Sequence, residues 1–321
     1  SLMNEIAHTI EGVVNVTGCG VFDDEERLMP LISDYLSERV ETDRLSLTSS
    51  KTYGHNLGYA LAYLKSRKEF RATDRDEAFI EAGDHVFREY FKHLIEETDT
   101  RSKTARNRDA TLMSFMNDYL CRSRGGQPQL RETNPYAGGL LTPAPKSELI
   151  QGCDMHELQA LIEATPYERE RCVVQFIFDA GIRRSELERV SLQHILDALA
   201  RAKKGFISQP DMPPMHIDYC SIYIEGSKAR GNKTKPRWSI VSRVTLERVI
   251  EYQKKILYRN YSRKYTSATL TPAFFNSEGQ AFSPRAVSSL IDRLSERALS
   301  KGTISRSISP HTLRHGFAYA V

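Results

Sequence analysis

Two stretches of the sequence decide the fold of this chain: DAGIRRSEL at residues 179–187 and SPHTLRHGFA at residues 309–318. In the first stretch, Gly181 can end one helix just before a second turn begins. Arg183 and Glu186 are three residues apart, so they share one face of that turn, and the carboxylate can orient the guanidinium. Taken alone, such a pair is more often a surface salt bridge than part of a functional site.

The second stretch predicts a helix that begins at Pro310 and brings three chemically active side chains to one face. These are His311, Arg314 at i+3 and His315 at i+4. A His/Arg pair at a helix start can bind an anion and move a proton, although a histidine here is more often structural. His-x-x-x-His can also bind a metal, but the glutamate of H-E-x-x-H and a third ligand are both missing, so we predict no metal site.

Positive charge is concentrated between these two stretches. Residues 228–264 hold twelve Lys and Arg against two acids, whereas the whole chain of 321 residues has a net charge of only +4. The turn GSKARGNKTKP at 226–236 lies between two strand-like runs, which predicts a β-hairpin. The cations at and beside this turn are Lys228, Arg230, Lys233, Lys235 and Arg237. They suit contacts with DNA phosphates or a groove, and the alternative is a solvated loop.

Apolar periodicity predicts a mainly α protein with one small antiparallel β-sheet. Helices are expected at 26–41, 48–64, 76–97, 103–122, 154–164, 168–178, 245–258 and 284–299, and strands at 216–224 and 237–241. The sequence between the two helical groups is rich in Gly and Pro. We therefore expect four segments: an arm or short helix over 1–25, a helical bundle over 26–124, a linker over 125–150 and a second domain over 151–321.

Composition excludes several classes of protein. With 40% hydrophobic and 27% charged residues the chain reads as globular, and it contains no apolar run long enough to span a membrane. Its start lacks the pattern of a signal peptide. The five cysteines are scattered, which indicates neither a disulfide framework nor a zinc site. We expect a cytoplasmic protein without a membrane partner.

The order Arg-x-x-Glu, lysine on a β-hairpin, then His-x-x-Arg-His resembles the tyrosine recombinases, the phage-integrase and Xer-like site-specific DNA recombinases. AGIRRSEL resembles the first arginine box of the family, T-G-L-R-x-S-E-L, and SPHTLRHGFA resembles the second, S-P-H-x-L-R-H-T-F-A. In the front half, SSKTYGHNLGYALAYL at 49–64 and NPYAG at 134–138 are similar to the SAM-like core-binding domain of the family and its exit linker.

The resemblance implies an enzyme that cleaves and rejoins double-stranded DNA through a 3′-phosphotyrosyl link and a Holliday junction, without metal or cofactor. Arg183 and Arg314 would bind the scissile phosphate, and His311 would share that task and transfer a proton. Glu186 and His315 would have supporting roles. Lys228, or alternatively Lys233, would protonate the leaving 5′-hydroxyl.

The resemblance also implies a homotetramer on paired DNA sites, which could be a monomer without DNA, acting on the nucleoid of a bacterium. Arg184 departs from the family pattern, because it leaves open which of two adjacent arginines faces the phosphate. The nucleophilic tyrosine of the family follows the second box at a distance, so we expect it beyond Val321 and expect the given chain to be inactive. Two alternatives remain: a non-catalytic DNA-binding regulator with a degenerate or truncated recombinase fold, and a type IB topoisomerase-like enzyme.

Overall fold

The computed structural model describes residues 3–10, 14–145, 151–203, 218–226 and 234–320. The chain forms two compact units, one before and one after residues 146–150. The predicted fold class, mainly α with a small antiparallel sheet, is confirmed. Among the described helices, none combines the length and apolar character that crossing a bilayer would require.

The front unit is a helical bundle preceded by a β-hairpin. Its elements are β1 (Met3–Ile10), β2 (Val14–Val21), α1 (Pro30–Glu41), α2 (Leu47–Ser66), α3 (Ala78–Glu81), α4 (Asp84–Glu96) and α5 (Ser102–Phe115), which continues as a π-turn over Met116–Leu120. The core is aromatic: Tyr35, Phe79, Phe87 and Phe115 are fully buried. The rings of Tyr35 and Phe79 both contact the ring of Phe115, and all four residues belong to one core where the apolar faces of the helices converge.

The first residues differ from the predicted arm or short helix, because β1 and β2 pair in antiparallel register from Met3↔Val21 to Ile10↔Val14. The end of β2 is fastened to α1, where the Oγ of Ser33 accepts a hydrogen bond from the Val21 N–H at 3.0 Å. This tie joins residues twelve apart, and helical periodicity gives no signal for it.

The predicted linker also differs, since residues 125–145 pack onto the front unit. Arg131 is buried and donates to the Phe79 and Ala82 carbonyls and to Asp84. The same carbonyls lie where the helix predicted over 76–97 breaks into α3 and α4. Arg131 therefore satisfies the groups that this break leaves without partners. The Gly- and Pro-rich composition of this segment predicts a linker and gives no signal for a buried arginine.

The back unit surrounds α7. Its elements are α6 (Met155–Glu163), α7 (Glu168–Ala180), a 3₁₀ turn (Leu187–Arg189), α8 (Leu192–Lys203), β3 (Tyr219–Ile224), β4 (Arg237–Ser242), α9 (Arg243–Gln253), α10 (Ile256–Ser262), α11 (Pro284–Ser300) and α12 (Pro310–Ala320). α6, α9, α12 and β4 all pack against α7. The helix expected over 245–258 is split at Lys255, whose extended backbone separates α9 from α10.

Candidate active site

The first arginine box is a tight turn that ends α7. Gly181 caps the helix in the left-handed conformation, with φ +57°. A Cβ atom at this position would lie 2.6 Å from the ring of Phe317 on α12. Glycine is thus required both by the backbone angle and by the close approach of α12.

The turn places Glu186 as a fully buried carboxylate. Its Oε2 accepts from the Arg183 N–H at 2.7 Å and from Nη2 of Arg237 at 3.0 Å, and its Oε1 accepts from Nη1 of Arg183 at 2.8 Å. Burial alone would raise the pKa of Glu186. The Arg183 N–H, the charge of Arg237 and the guanidinium hydrogen bonds outweigh burial and hold the pKa below its usual range. The carboxylate is therefore ionised and fixes both arginines.

Arg183, not Arg184, is the arginine held by this carboxylate. The Nη1 of Arg184 instead donates to the Oγ of Ser288 on α11 at 2.7 Å. Arg183 spends one side-chain donor on Glu186, and its side chain is 50% exposed. The remaining donors of Arg183 can therefore meet a ligand from solvent.

The second arginine box begins α12 as the sequence predicts. Ser309 caps the helix, accepting from the Thr312 N–H at 3.1 Å, and Pro310 is the first helical residue. A Cβ at Gly316 would lie 2.3 Å from both the Cys153 carbonyl oxygen and the Phe178 ring of α7. Glycine at this position lets α12 pack directly against α7, so the two arginine boxes lie side by side.

Arg314 on α12 lies within electrostatic range of Arg183 in the first box and of Arg237 on β4. Burial, reinforced by the charges of Arg183 and Arg237, lowers the pKa of Arg314, and Glu186 opposes this only in part. Within the described residues, the guanidinium of Arg314 makes no hydrogen bond and no ion pair. Among the described residues, Glu186 bonds Arg183 and Arg237 and acts on Arg314 only through its charge, so these four side chains carry a net charge of +2. An anion with several oxygens would satisfy this cluster.

The two histidines of α12 form a pair. Nε2 of His315 lies 3.0 Å from Nε2 of His311, and the rings meet edge to face with centroids 4.2 Å apart. A hydrogen bond between two imidazole nitrogens requires one donor and one acceptor. The tautomers of the two rings decide which ring donates, and the pair lies on a helix face that also carries Arg314.

Only part of the predicted basic hairpin falls within the described residues. Lys228, Arg230 and Lys233 lie outside them. Lys235 is exposed, and its carbonyl oxygen would lie 2.0 Å from a Cβ at Gly226, whose φ is +83°. The two ends of the turn therefore approach each other closely, and glycine is required where they meet.

Several tyrosine hydroxyls of the back unit are occupied by the main chain. Tyr258 donates to the Pro272 carbonyl at 2.7 Å, and Tyr261 donates to the Ser277 carbonyl at 2.9 Å. The hydroxyl oxygen of Tyr252 accepts from a backbone N–H, and burial raises the pKa of Tyr252 to about 12. These hydroxyls have structural roles.

Two sets of contacts at the site are not predicted by the sequence. Asp179 accepts from both N–H and Oγ of Ser242, which ties the end of α7 to the end of β4. Arg237, predicted as a DNA contact, bonds to Glu186 and, at 3.1 Å, to the Gly181 carbonyl. Each contact joins residues more than fifty positions apart, so no local sequence pattern predicts it.

Comparison with known proteins gives consistent relatives, although no family model matches the chain. The tyrosine recombinase XerC of Pelotomaculum thermopropionicum is 25% identical over 289 residues, covering 87% of this chain and 80% of that protein. The tyrosine recombinase XerC of Anoxybacillus flavithermus is 28% identical over 155 residues, covering 47% of this chain and 40% of its own length.

Solved structures of DNA complexes share the fold. The Tn1549 transposon integrase with transposon right end DNA is 12% identical with a TM-score of 0.60, over 90% of this chain and 85% of that one. Lambda integrase bound to DNA is 12% identical with a TM-score of 0.56, over 90% of this chain and 84% of the integrase chain. The recombinase XerH bound to its difH substrate is 16% identical with a TM-score of 0.53, over 85% of this chain and 69% of the XerH chain.

Proposed function

The chain belongs to the tyrosine recombinase and integrase family, and from that premise we propose that it acts as a site-specific DNA strand transferase. Its reaction would cleave and rejoin double-stranded DNA through a 3′-phosphotyrosyl intermediate. The relatives named above are recombinases and integrases, and three of the solved structures contain DNA.

The observation that carries this proposal is the cluster of Arg183, Arg237 and Arg314 around Glu186. Arg314 makes no hydrogen bond or ion pair within the described residues, although it is half-buried, and Arg183 beside it is half exposed. A phosphodiester supplies the missing negative charge through its two non-bridging oxygens. The pentacoordinate transition state carries more charge than the ground state, so arginine donors fixed in advance stabilise it preferentially.

In the proposed reaction, a tyrosine hydroxyl attacks the scissile phosphorus while the bond from phosphorus to the 5′-oxygen breaks. The proton of the tyrosine passes to the pair formed by His311 and His315. The leaving 5′-oxygen takes a proton from Lys228 or Lys233. Attack by a 5′-hydroxyl on the phosphotyrosyl bond reverses each step and restores a phosphodiester, so the exchange needs no external energy source.

We propose that none of the 15 tyrosines of the chain is this nucleophile. The main-chain hydrogen bonds of Tyr258 and Tyr261 and the buried hydroxyl of Tyr252 support this for the back unit. Residues 1–321 would accordingly bind DNA and form no covalent adduct. The complete enzyme would act as a homotetramer on two DNA sites, exchanging strands through a Holliday junction on the nucleoid in the bacterial cytoplasm.

The test begins by selecting bound sequences from a random duplex library, because the target site is unknown. The selected duplex is then nicked at successive positions, so that a cleaved strand diffuses away and traps the adduct. Protein expressed from the complete reading frame should form a covalent complex on one nicked substrate. Arg314→Ala should abolish this complex, whereas Arg184→Ala, which removes a guanidinium bonded to Ser288, should retain it. Absence of any adduct on a tightly bound duplex would overturn the strand-transfer proposal.

A further inference from the structure

Arg237 occupies an unusual position for a predicted DNA contact. It is the first residue of β4 and pairs with Ile224, so it lies where the chain returns to the sheet from the basic turn. Its Nη2 donates at 3.0 Å to the buried carboxylate of Glu186 and at 3.1 Å to the Gly181 carbonyl. One guanidinium nitrogen of Arg237 thus bonds to two groups of the first arginine box.

The shared carboxylate divides its charge between two arginines. Glu186 gives Oε1 to the Arg183 side chain, while Oε2 accepts from the Arg183 N–H and from Arg237. Without Arg237, Arg183 would be the only described residue hydrogen-bonded to the Glu186 carboxylate. A bidentate arginine–carboxylate pair would then draw further Arg183 donors inward and away from a ligand.

The Gly181 contact has a second consequence. Gly181 ends α7 in the left-handed conformation, and its carbonyl is among those that the helix leaves without an internal partner. By bonding this carbonyl, Arg237 fixes the turn that begins with Gly181 to the strand that follows the basic turn. The side chain of Arg237 is 29% exposed, so solvent competes only weakly for it.

We propose that Arg237 is a positioning residue of the strand-transfer reaction, which holds Glu186 and the Gly181 turn so that the free donors of Arg183 face the scissile phosphate. This inference rests on the proposed function. It revises the prediction from the sequence that Arg237 itself contacts DNA. Arg237 acts through Arg183 and adds no phosphate contact of its own.

The salt dependence of DNA binding separates the two roles. Each phosphate contact contributes about 0.9 to the slope of log K against log salt concentration. Lys235→Gln removes an exposed cation two residues away and serves as the matched control. We expect Lys235→Gln to reduce the slope by about one contact and Arg237→Gln to leave it unchanged within error. An equal reduction by both variants would overturn the proposal.

A double-mutant cycle tests the route through Glu186. In protein from the complete reading frame, Arg237→Gln should slow adduct formation at saturating DNA at least tenfold, with little change in DNA affinity. The same change in a Glu186→Gln background should slow it less than threefold further, because the shared partner is already gone. Independent, multiplying effects would contradict the proposal.

Folding defects are separated from positioning by a second variant and a second measurement. Arg237→Lys keeps the charge, but its terminal nitrogen is one bond closer to the main chain than Nη2 of arginine and should not reach both the Glu186 carboxylate and the Gly181 carbonyl, so it should keep the melting temperature closer to wild type while still slowing adduct formation. Full activity in a folded Arg237→Lys protein would show that the reaction does not need the two hydrogen bonds from Arg237 to Glu186 and to the Gly181 carbonyl. If the wild type forms no adduct, the strand-transfer proposal fails, whereas the salt slopes still decide whether Arg237 contacts DNA.

Discussion

Replacing Glu186 by glutamine is the perturbation whose effect the structure constrains most closely. The side chain of Glu186 is fully buried and accepts three hydrogen bonds from two arginines. Glutamine keeps one acceptor oxygen but turns an NH₂ group toward a guanidinium. Each charge-assisted hydrogen bond contributes about 1.5–3 kcal/mol, and removing one partner of a buried ion pair costs about 3–5 kcal/mol.

Because Arg183 is half exposed and can regain water, we reduce this range and expect a loss of about 3 kcal/mol for Glu186→Gln at pH 7. For a unit of this size, that loss corresponds to a fall in melting temperature of roughly 6–12 °C. Glu188→Gln, two residues away and exposed, is the matched control and should change stability by less than about 0.5 kcal/mol.

The same substitution has a signed pH dependence. The pKa of Glu186 is lowered in the folded protein from a usual value of 4.5, so its stabilisation is fully present above that value. It is lost as pH falls through the lowered folded pKa. In urea unfolding, the difference in the free energy of unfolding between wild type and Glu186→Gln should therefore be constant above about pH 5 and become smaller in acid. If this difference is absent at pH 7, or does not become smaller in acid, the role assigned to this carboxylate is refuted.

Three further substitutions test the packing that holds the site and the front unit. Gly316→Ala places a methyl 2.3 Å from the Cys153 carbonyl and should cost about 1–3 kcal/mol in thermal melts; a neutral result would show that α12 does not approach α7 so closely. Arg131→Met leaves several buried carbonyls without a donor and should destabilise the front unit by about 3–5 kcal/mol in urea, and an unchanged transition would contradict its capping role. Ser309→Ala removes the cap on the Thr312 N–H and should cost about 1 kcal/mol, with Ser309→Asp retaining the stability.

Local signals in the sequence account for the elements that were predicted well. Ser283 precedes an amphipathic run, and in the structure its Oγ accepts from the Ala286 N–H at the start of α11. The spacing of Arg183 and Glu186 predicts that they meet on one face of a turn, and the structure brings them together. Such features depend on neighbours within one or two helical turns, which a sequence shows directly.

Features that depend on distant partners were missed or differ. The composition of residues 125–145 predicts a linker, whereas in the structure this segment packs onto the front unit. The difference was not predictable because a buried arginine such as Arg131 has no sequence signal apart from the distant carbonyls that it binds. From the sequence, Arg237 is predicted to be one of several cations at the basic turn. Its bond to Glu186 is visible only in the structure, because the two residues are far apart in the sequence. Roles at the site remain predictions for the same reason: Lys228 and Lys233 lie outside the described residues, and no local pattern distinguishes them.

The central claim is that Arg314 and Arg183 neutralise the charge on the scissile phosphate. Once the cleavage position has been mapped, the most direct measurement replaces that phosphate with an uncharged methylphosphonate in the nicked substrate. We expect Arg314→Ala, inactive on the phosphate, to recover adduct formation on the methylphosphonate, because the charge it would neutralise is gone. Equal loss of activity on both substrates would show that Arg314 has another role and would contradict the account.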